Sequence, residues 1–402
     1  MTIYGSTSTI RNALTSTLLG ISAFFLSNDN SAACRTDEAL NWRAAANRYR
    51  CRTIKLLRDA ANNDFHSKSR PKYKDFLATT LSMITMNVIS GDTETCGIHL
   101  DGAFNLINQA RKWKSKYSHK AQSLHRIYFY LRAIFESTAP RLHRASRRFL
   151  SSVDTVDVDT DAGSDDQDDV FCQRLLYNQM LGYKSTLDLD LETRISNCER
   201  IYGIPHTLLF LLTKVIGLID KLYDAKEANP TAIIPDHLVD ECDDLEKSIM
   251  DWPTNACLEQ CAAQAISTKS KIIHQHTIAF HNALVIYFAQ HVRLVGHRFL
   301  LPYVTAVLES MEAIERLKSG TEALAAPLYW PAFIAGSEAF DEGLQARFRC
   351  WYEHVEVYRI EALRTGVGVL KEVWETGPSA RNRTTSYWRE IVERSDVRLM
   401  LS

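Results

Sequence analysis

Apolar residues recur along this chain at intervals of three and four, and no alternation of period two lasts long enough for a strand. Residues 76–88 are the clearest case. Leu77, Leu81, Ile84 and Val88 lie four, three and four residues apart, the spacing that aligns side chains on one stripe of an α-helix. The same period predicts helices over 93–109 (Leu100, Ala103, Ile107), 124–135 (Leu124, Ile127, Leu131, Ile134), 200–222 (Leu208, Leu212, Val215, Ile219), 236–251 (Leu238, Cys242, Leu245, Ile249) and 297–316 (Val304, Val307, Leu308, Met311, Ile314). Residues 263–288 read as a long, largely buried helix. Two further helices, 344–359 and 361–374, precede a tail with Trp388, Leu399 and Leu401. Breaks fall at Ser69-Arg70-Pro71, Pro140, Asn229-Pro230 and Trp252-Pro253, and Gly91 is placed to adopt the left-handed cap that ends a helix. The predicted fold is all-α, a stack of antiparallel helices.

Three stretches need a decision about direction. In residues 13–26, Leu14, Leu18, Ile21 and Phe25 fall at helical spacing, which predicts a core helix with those four inward. The stretch also follows Arg11 and precedes Ser31-Ala32-Ala33, the outline of a signal peptide, but Thr15, Ser16, Thr17, Gly20 and Ser22 make it weakly apolar, so the core helix is preferred. Residues 42–61 predict a helix with Tyr49, Ile54 and Leu57 inward and Arg48, Arg50, Arg52 and Arg58 on a solvated basic face. Residues 328–338, Leu-Tyr-Trp-Pro-Ala-Phe-Ile-Ala-Gly-Ser-Glu, are apolar with few reactive groups, which predicts burial between helices with Trp330 and Phe333 as anchors. The longest apolar run, 208–219, is interrupted by Lys214 and is short of the ~18 residues a membrane span needs.

Composition refines this picture in three places. The net charge of −1 carries no nucleic-acid footprint. The nine Cys, at positions 34, 51, 96, 172, 198, 242, 257, 261 and 350, are odd in number and contain no Cys-x-x-Cys, which predicts reduced thiols in a cytosolic or nuclear compartment. Residues 141–148 are basic, and the Asp-rich stretch 151–169 has too little apolar surface to offset the entropy of ordering. The expected organisation is therefore an N-terminal half over 1–150, a disordered acidic linker over 151–170, and a C-terminal half over 171–402.

Each candidate for chemistry has a simpler reading. Asp157, Asp159, Asp161 and Asp168 imitate a calcium loop, but its turn requires Gly at the sixth position, where Ala162 stands. Asp165-Asp166-Gln167-Asp168-Asp169 fits a magnesium motif of all-α terpene synthases. It lacks the apolar helix such a motif needs, and Asp243, Asp244 and Ser248 have the wrong spacing for its second half. His274, His276, His281, His291 and His297 lack the four-residue spacing of a helical zinc pair and are expected to be core or surface histidines. Gly336-Ser337-Glu338 lacks the second Gly of a nucleophile elbow. Asn382-Arg383-Thr384 is a glycosylation sequon only on a secretory route. No catalytic or metal residue is assigned, and no cofactor is implied.

The order of several motifs carries a resemblance. Gly97-Ile98-His99-Leu100-Asp101-Gly102-Ala103, then Leu124-His125-Arg126-Ile127-Tyr128-Phe129-Tyr130, resemble the second type of fungal-specific transcription factor domain, the regulatory region carried beside a zinc binuclear cluster. Tyr202-Gly203-Ile204-Pro205, the Leu245 to Trp252 pattern, His281-Asn282-Ala283-Leu284-Val285-Ile286-Tyr287, Trp330-Pro331-Ala332-Phe333-Ile334-Ala335-Gly336, and the closing Trp374 and Trp388 match further segments in the same order. The 90–103 and 124–130 stretches look closest to arginine-metabolism regulators of that family.

The resemblance implies a nuclear, non-enzymatic transcription regulator controlling a metabolic or biosynthetic gene set. It would act through other transcription-regulatory proteins, a small-molecule effector or self-association, without a membrane. The six-Cys zinc cluster that reads DNA in this family is absent from these residues, so no direct sequence-specific DNA binding is expected from this chain alone. The alternatives are a metal-dependent all-α enzyme such as a terpene synthase, or a truncated, inactive gene product.

Overall fold

The computed structural model describes residues 8–64, 72–113, 117–139, 202–228, 234–252, 267–319, 325–378 and 386–402. Among these, the three- and four-residue periods become thirteen α-helices and no strand. They are α1 (Thr9–Ala32), α2 (Thr36–Asp59), α3 (Tyr73–Ser90), α4 (Cys96–Arg111), α5 (His119–Thr138), α6 (His206–Ala228), α7 (Asp236–Met250), α8 (Thr268–Phe288), α9 (His297–Ser319), α10 (Tyr329–Gly336), α11 (Glu342–Val355), α12 (Ala362–Thr376) and α13 (Tyr387–Arg394). The all-α fold of stacked helices is as the periodicity predicts. The acidic stretch 151–169, the linker assigned to 151–170 and the basic run 141–148 lie outside the described residues.

Local chemistry sets the helix ends. Ser118, Ser267 and Asp341 accept hydrogen bonds from the amides of Ala121, Ser270 and Leu344 at 3.4, 3.2 and 3.0 Å, which satisfies first-turn donors. Gly91 ends α3 with φ +81°, a backbone conformation that costs glycine no steric strain. Successive helices pack as neighbours: α1 on α2 and α3, α3 on α4 and α5, α5 on α6, α6 on α7 and α8, α8 on α9 and α10, and α12 back on α3. One buried hydrophobic cluster runs from Ile10 to Leu401, so both halves of the chain share a core.

At the N-terminus the structure reverses the expected facing. α1 and α2 form an antiparallel hairpin, since Ser16, Thr17 and Ser27 of α1 meet Tyr49, Thr53 and Ala39 of α2. The buried face of α1 carries Ala13, Ser16, Thr17, Gly20, Ala23, Phe24 and Ser27. Leu18 and Phe25, expected inward, are 52% and 38% exposed. The reason is close approach: small residues let the backbones come near enough for Ser16 and Ser27 hydroxyls to donate to α2 carbonyls at 3.2 and 2.9 Å. A helical period identifies two opposite faces and leaves open which one is buried.

On α2 the expected facing holds in part: Tyr49 and Leu57 pack against the core. Ile54 is exposed, whereas Arg50 turns inward, its guanidinium 4.6 Å from the Phe24 ring centroid. There it donates to Ser90 and pairs with Asp92 at 3.5 Å. Burial lowers the Arg50 pKa, a shift opposed by Asp92.

Candidate functional site

Residues 328–338 form α10 and the turn after it, and Trp330 and Phe333 are fully buried, as expected. The indole N–H of Trp330 donates to Ser137 Oγ at 2.8 Å, and the Tyr287 hydroxyl donates to the Ser137 carbonyl at 2.8 Å. The Trp330 ring lies 4.9 Å from that of Phe280, and Phe333 meets Trp388 edge-on at 5.4 Å. Trp388 Nε1 donates to Gln290 Oε1 at 3.3 Å, and Gln290 Nε2 donates to Ser337 Oγ and Glu338 Oε1, each at 2.9 Å. Burial pushes the Glu338 carboxyl up to about 7, and the Gln290 hydrogen bond opposes that rise. His291 donates from Nδ1 to the Tyr287 carbonyl at 2.8 Å and accepts from Ser386 at Nε2, 3.2 Å away. Its burial holds the ring neutral. The Trp330 and Trp388 indoles are both hydrogen-bonded within the core, which suits a packing framework.

The framework opens to solvent on one side. After α11, a 3₁₀ turn (Glu356–Tyr358) and left-handed Arg359 (φ +54°) redirect the chain into α12. A groove of about 480 Å³ lies between the two helices. Tyr352, Leu363, Val367 and Trp374 supply its apolar floor. α11 lines it with Arg349 and Glu353, the 3₁₀ turn with Glu356, and α12 with Arg364, Gly368 and Lys371. Trp374 is fixed by its indole N–H, which donates to the Gly336 carbonyl at 2.8 Å, and the Arg349 guanidinium sits 5.2 Å from its ring centroid.

At the other end, Asn28 of α1 donates to the carbonyls of Ile89 and Arg359 at 2.8 and 2.9 Å. Arg359 also pairs with Asp29 at 3.1 Å, and Arg364 with Glu361 at 3.3 Å. Glu353, Glu356 and Lys371 make no side-chain ion pair among the described residues. Of these groove residues, sequence reading singled out Trp374 alone, as a closing tryptophan of the resemblance. The available signal was the i, i+4, i+7 spacing shared by Arg349, Glu353 and Glu356 and by Arg364, Gly368 and Lys371, which only the facing of the two helices makes meaningful.

The residues that sequence reading weighed for chemistry do not meet. His276 contacts the Tyr202 carbonyl at 3.2 Å, with burial taking its pKa down to about 4. His281 donates to the Ile249 carbonyl at 2.9 Å and stacks on Trp252. His297 lies edge-on to Phe340, and burial lowers the pKa of His274. Asp243 pairs with Arg293, which also pairs with Glu246 at 2.6 Å; the Ser248 hydroxyl donates to the Asp244 carbonyl at 2.8 Å. Ser337 is buried and donates to the Ile334 carbonyl at 2.8 Å. The Asp157 to Asp169 motifs and the Asn382 sequon lie outside the described residues. Among the described residues no three His, Cys, Asp or Glu side chains are grouped to hold a metal ion. Cys34, Cys51 and Cys350 are exposed while Cys96 and Cys242 are buried, and each is a free thiol, so these five do not fit the paired thiolates of a binuclear zinc cluster.

Comparison with known proteins adds two matches. The model of the fungal specific transcription factor domain covers residues 2–402. Arginine metabolism regulation protein II of Saccharomyces cerevisiae (strain ATCC 204508 / S288c) is 23% identical over 457 residues, an overlap that takes in 99% of this chain and 50% of the relative. The chain therefore spans half the length of that relative. No solved structure matches.

Proposed function

This chain belongs to the fungal specific transcription factor domain family, and from that premise we propose that it is the regulatory part of a nuclear transcription regulator of metabolic or biosynthetic genes. Family membership supports transcription regulation as the class of activity. The observation that carries the finer reading is the pairing of a family match over nearly the whole chain with a packed aromatic framework in which the Trp330, Trp374 and Trp388 indoles are hydrogen-bonded within the fold. In this reading the domain holds a shape. A small effector or partner protein changes the regulator's output by preferring one of two helix arrangements. DNA selection falls to a partner or to another module, since the thiols described here do not form a zinc cluster.

The test is to tether the full chain to a foreign DNA-binding domain above a reporter in a fungal host. The expected result is a several-fold change in reporter output, in either direction. An unchanged reporter, with the fusion present in the nucleus and folded, would remove the reading.

A further inference from the structure

We propose that the α11–α12 groove binds a zwitterionic peptide of two or three residues, its terminal carboxylate at Lys371 and Arg349 and its terminal ammonium at Glu353 and Glu356. The fold leaves charges in this groove unmatched. Arg359 and Arg364, at one end of the groove, are paired with Asp29 and Glu361. Lys371, Glu353 and Glu356 face the same groove and make no side-chain ion pair among the described residues. A groove with a cationic end and an anionic end repels ions of one sign from one of its ends and accepts a dipolar ligand at both.

Length then narrows the class. At 1.5 Å per residue, Glu353 lies about 6 Å along α11 from Arg349, and Glu356, the first residue of the turn beyond it, about 10 Å. An extended peptide of two or three residues spans about 7 to 10 Å. A single α-amino acid carries both charges on one carbon and reaches one end at a time. The interior suits peptide backbone and small side chains. Gly368, with no atom within 4 Å of the place a Cβ would occupy, leaves open space between the ends, and Val367, Tyr352 and Trp374 provide apolar contact. A volume of about 480 Å³ falls within the range of small-ligand sites.

Such a ligand would bridge α11 and α12 beside the turn residue Arg359, which is tied to α1 by Asn28 and Asp29. Occupancy would thus be felt in the N-terminal helices. The proposal supplies the ligand class for the effector reading above and rests on that reading for its regulatory meaning, though not for binding itself.

The experiment is calorimetric titration of the full chain with tri-alanine, with alanine, N-acetyl-tri-alanine and tri-alanine amide as comparisons. Tri-alanine is expected to bind in a salt-sensitive manner, each blocked form about tenfold more weakly or worse, and alanine not at all. Lys371→Glu should abolish binding of the free peptide. Gly368→Leu, which fills open space on a helix surface, should abolish it while leaving the circular dichroism spectrum and unfolding midpoint in place.

Equal binding of the blocked and free peptides, retained binding by the folded Gly368→Leu chain, or no heat from tri-alanine would each overturn the proposal. A null titration beside an active tethered reporter would remove the ligand and keep the regulator. Titration heat beside a silent reporter would do the reverse.

Discussion

The α8–α10–α13 region and the α1–α2 hairpin are both helical packings, yet they are assembled on opposite terms. In the first, large rings fill the space. Phe280, Tyr287, Trp330, Phe333 and Trp388 are almost wholly buried, and the indoles and the Tyr287 hydroxyl each find an acceptor. In the second, the face between the two helices is made mostly of Ala, Ser, Thr and Gly, with Ile10, Asn28 and Asn30 buried toward the ends of α1 and a small satellite core of Ala23, Phe24, Ala46, Met83 and Met86. Its larger apolar residues, Leu18, Leu19, Phe25 and Leu40, face outward. Buried area is therefore concentrated in the aromatic region, whereas the hairpin depends on close backbone approach and on hydroxyl-to-carbonyl bonds between its helices. Stability should be concentrated accordingly.

The largest effect tests the aromatic side. Trp330→Ala should cost ~3–5 kcal/mol, as for other large core aromatics, and leaves Ser137 Oγ without its indole donor. Urea unfolding followed by circular dichroism should show a lower midpoint across the whole domain. A loss under ~1 kcal/mol would mean that the aromatic cluster is not where stability resides.

One substitution made at two glycines sharpens the contrast. Gly203, beside α6, has φ +67°, and a Cβ there would lie 2.3 Å from His276 Nδ1 and 2.9 Å from its Cβ. Gly203→Ala should cost at least about 1–3 kcal/mol, from backbone strain and from displacement of a buried ring. Gly20 sits on the buried face of α1, where a Cβ would meet the Met86 methyl at 2.7 Å. That methyl is the free end of a flexible chain, and Ala gains about 1 kcal/mol of helix propensity over Gly. Gly20→Ala should therefore fall within about 0.5 kcal/mol of neutral in the same assay. Comparable losses at both positions would erase the distinction.

Burial also shifts acidity outside the hairpin. The carboxyl of Glu338 is raised by burial from 4.5 to about 7. The folded state keeps that proton where the unfolded chain has released it, so the contribution is fully present below about 4.5 and is lost as pH rises through about 7. Glu338→Gln removes the ionisation while keeping an acceptor for Gln290. It should stabilise the chain at pH 8 by about 1–3 kcal/mol and do little at pH 4.5. His125 and His276 act in the other direction, because burial lowers both to about 4. Their contribution is present above 6.5 and is lost as pH falls through about 4. Urea midpoints of the parent and variant at both pH values check the sign; an E338Q advantage that is the same at both would refute it.

What the sequence discloses follows the same division. Where the buried residues are also the large apolar ones, as at Leu208 and Ile249, periodicity identifies helix and facing together, and at Trp330 and Phe333 an unbroken apolar run identifies burial. In the hairpin it identifies the helix but not the facing, because hydrophobicity and burial part company when small polar residues form the contact, and Arg50 is drawn inward by Phe24, Ser90 and Asp92. The groove is less legible still. Arg349, Glu353, Glu356, Gly368 and Lys371 each read as ordinary helix surface, and only the divergence of α11 and α12 around Arg359 brings them to one opening.

The smallest predicted effect is the most exacting for the comparison. Leu18 lies on α1 at 52% exposure, at a position where sequence pattern alone predicts a core residue. If the hairpin is held by its small-residue face, Leu18→Gln removes little buried surface, and Leu and Gln have similar helix propensities. The expected change is within about 0.5 kcal/mol, the usual range for surface substitutions. Thr17→Leu on the opposite face is the control: it replaces a fully buried hydroxyl that bonds the Ala13 carbonyl and Thr53 at 2.9 and 3.3 Å. Overpacking there should cost about 1–3 kcal/mol. A tolerant Thr17 beside a costly Leu18 would mean that α1 packs in solution on the face its leucines first suggest, and the reading of the hairpin would have to be turned around.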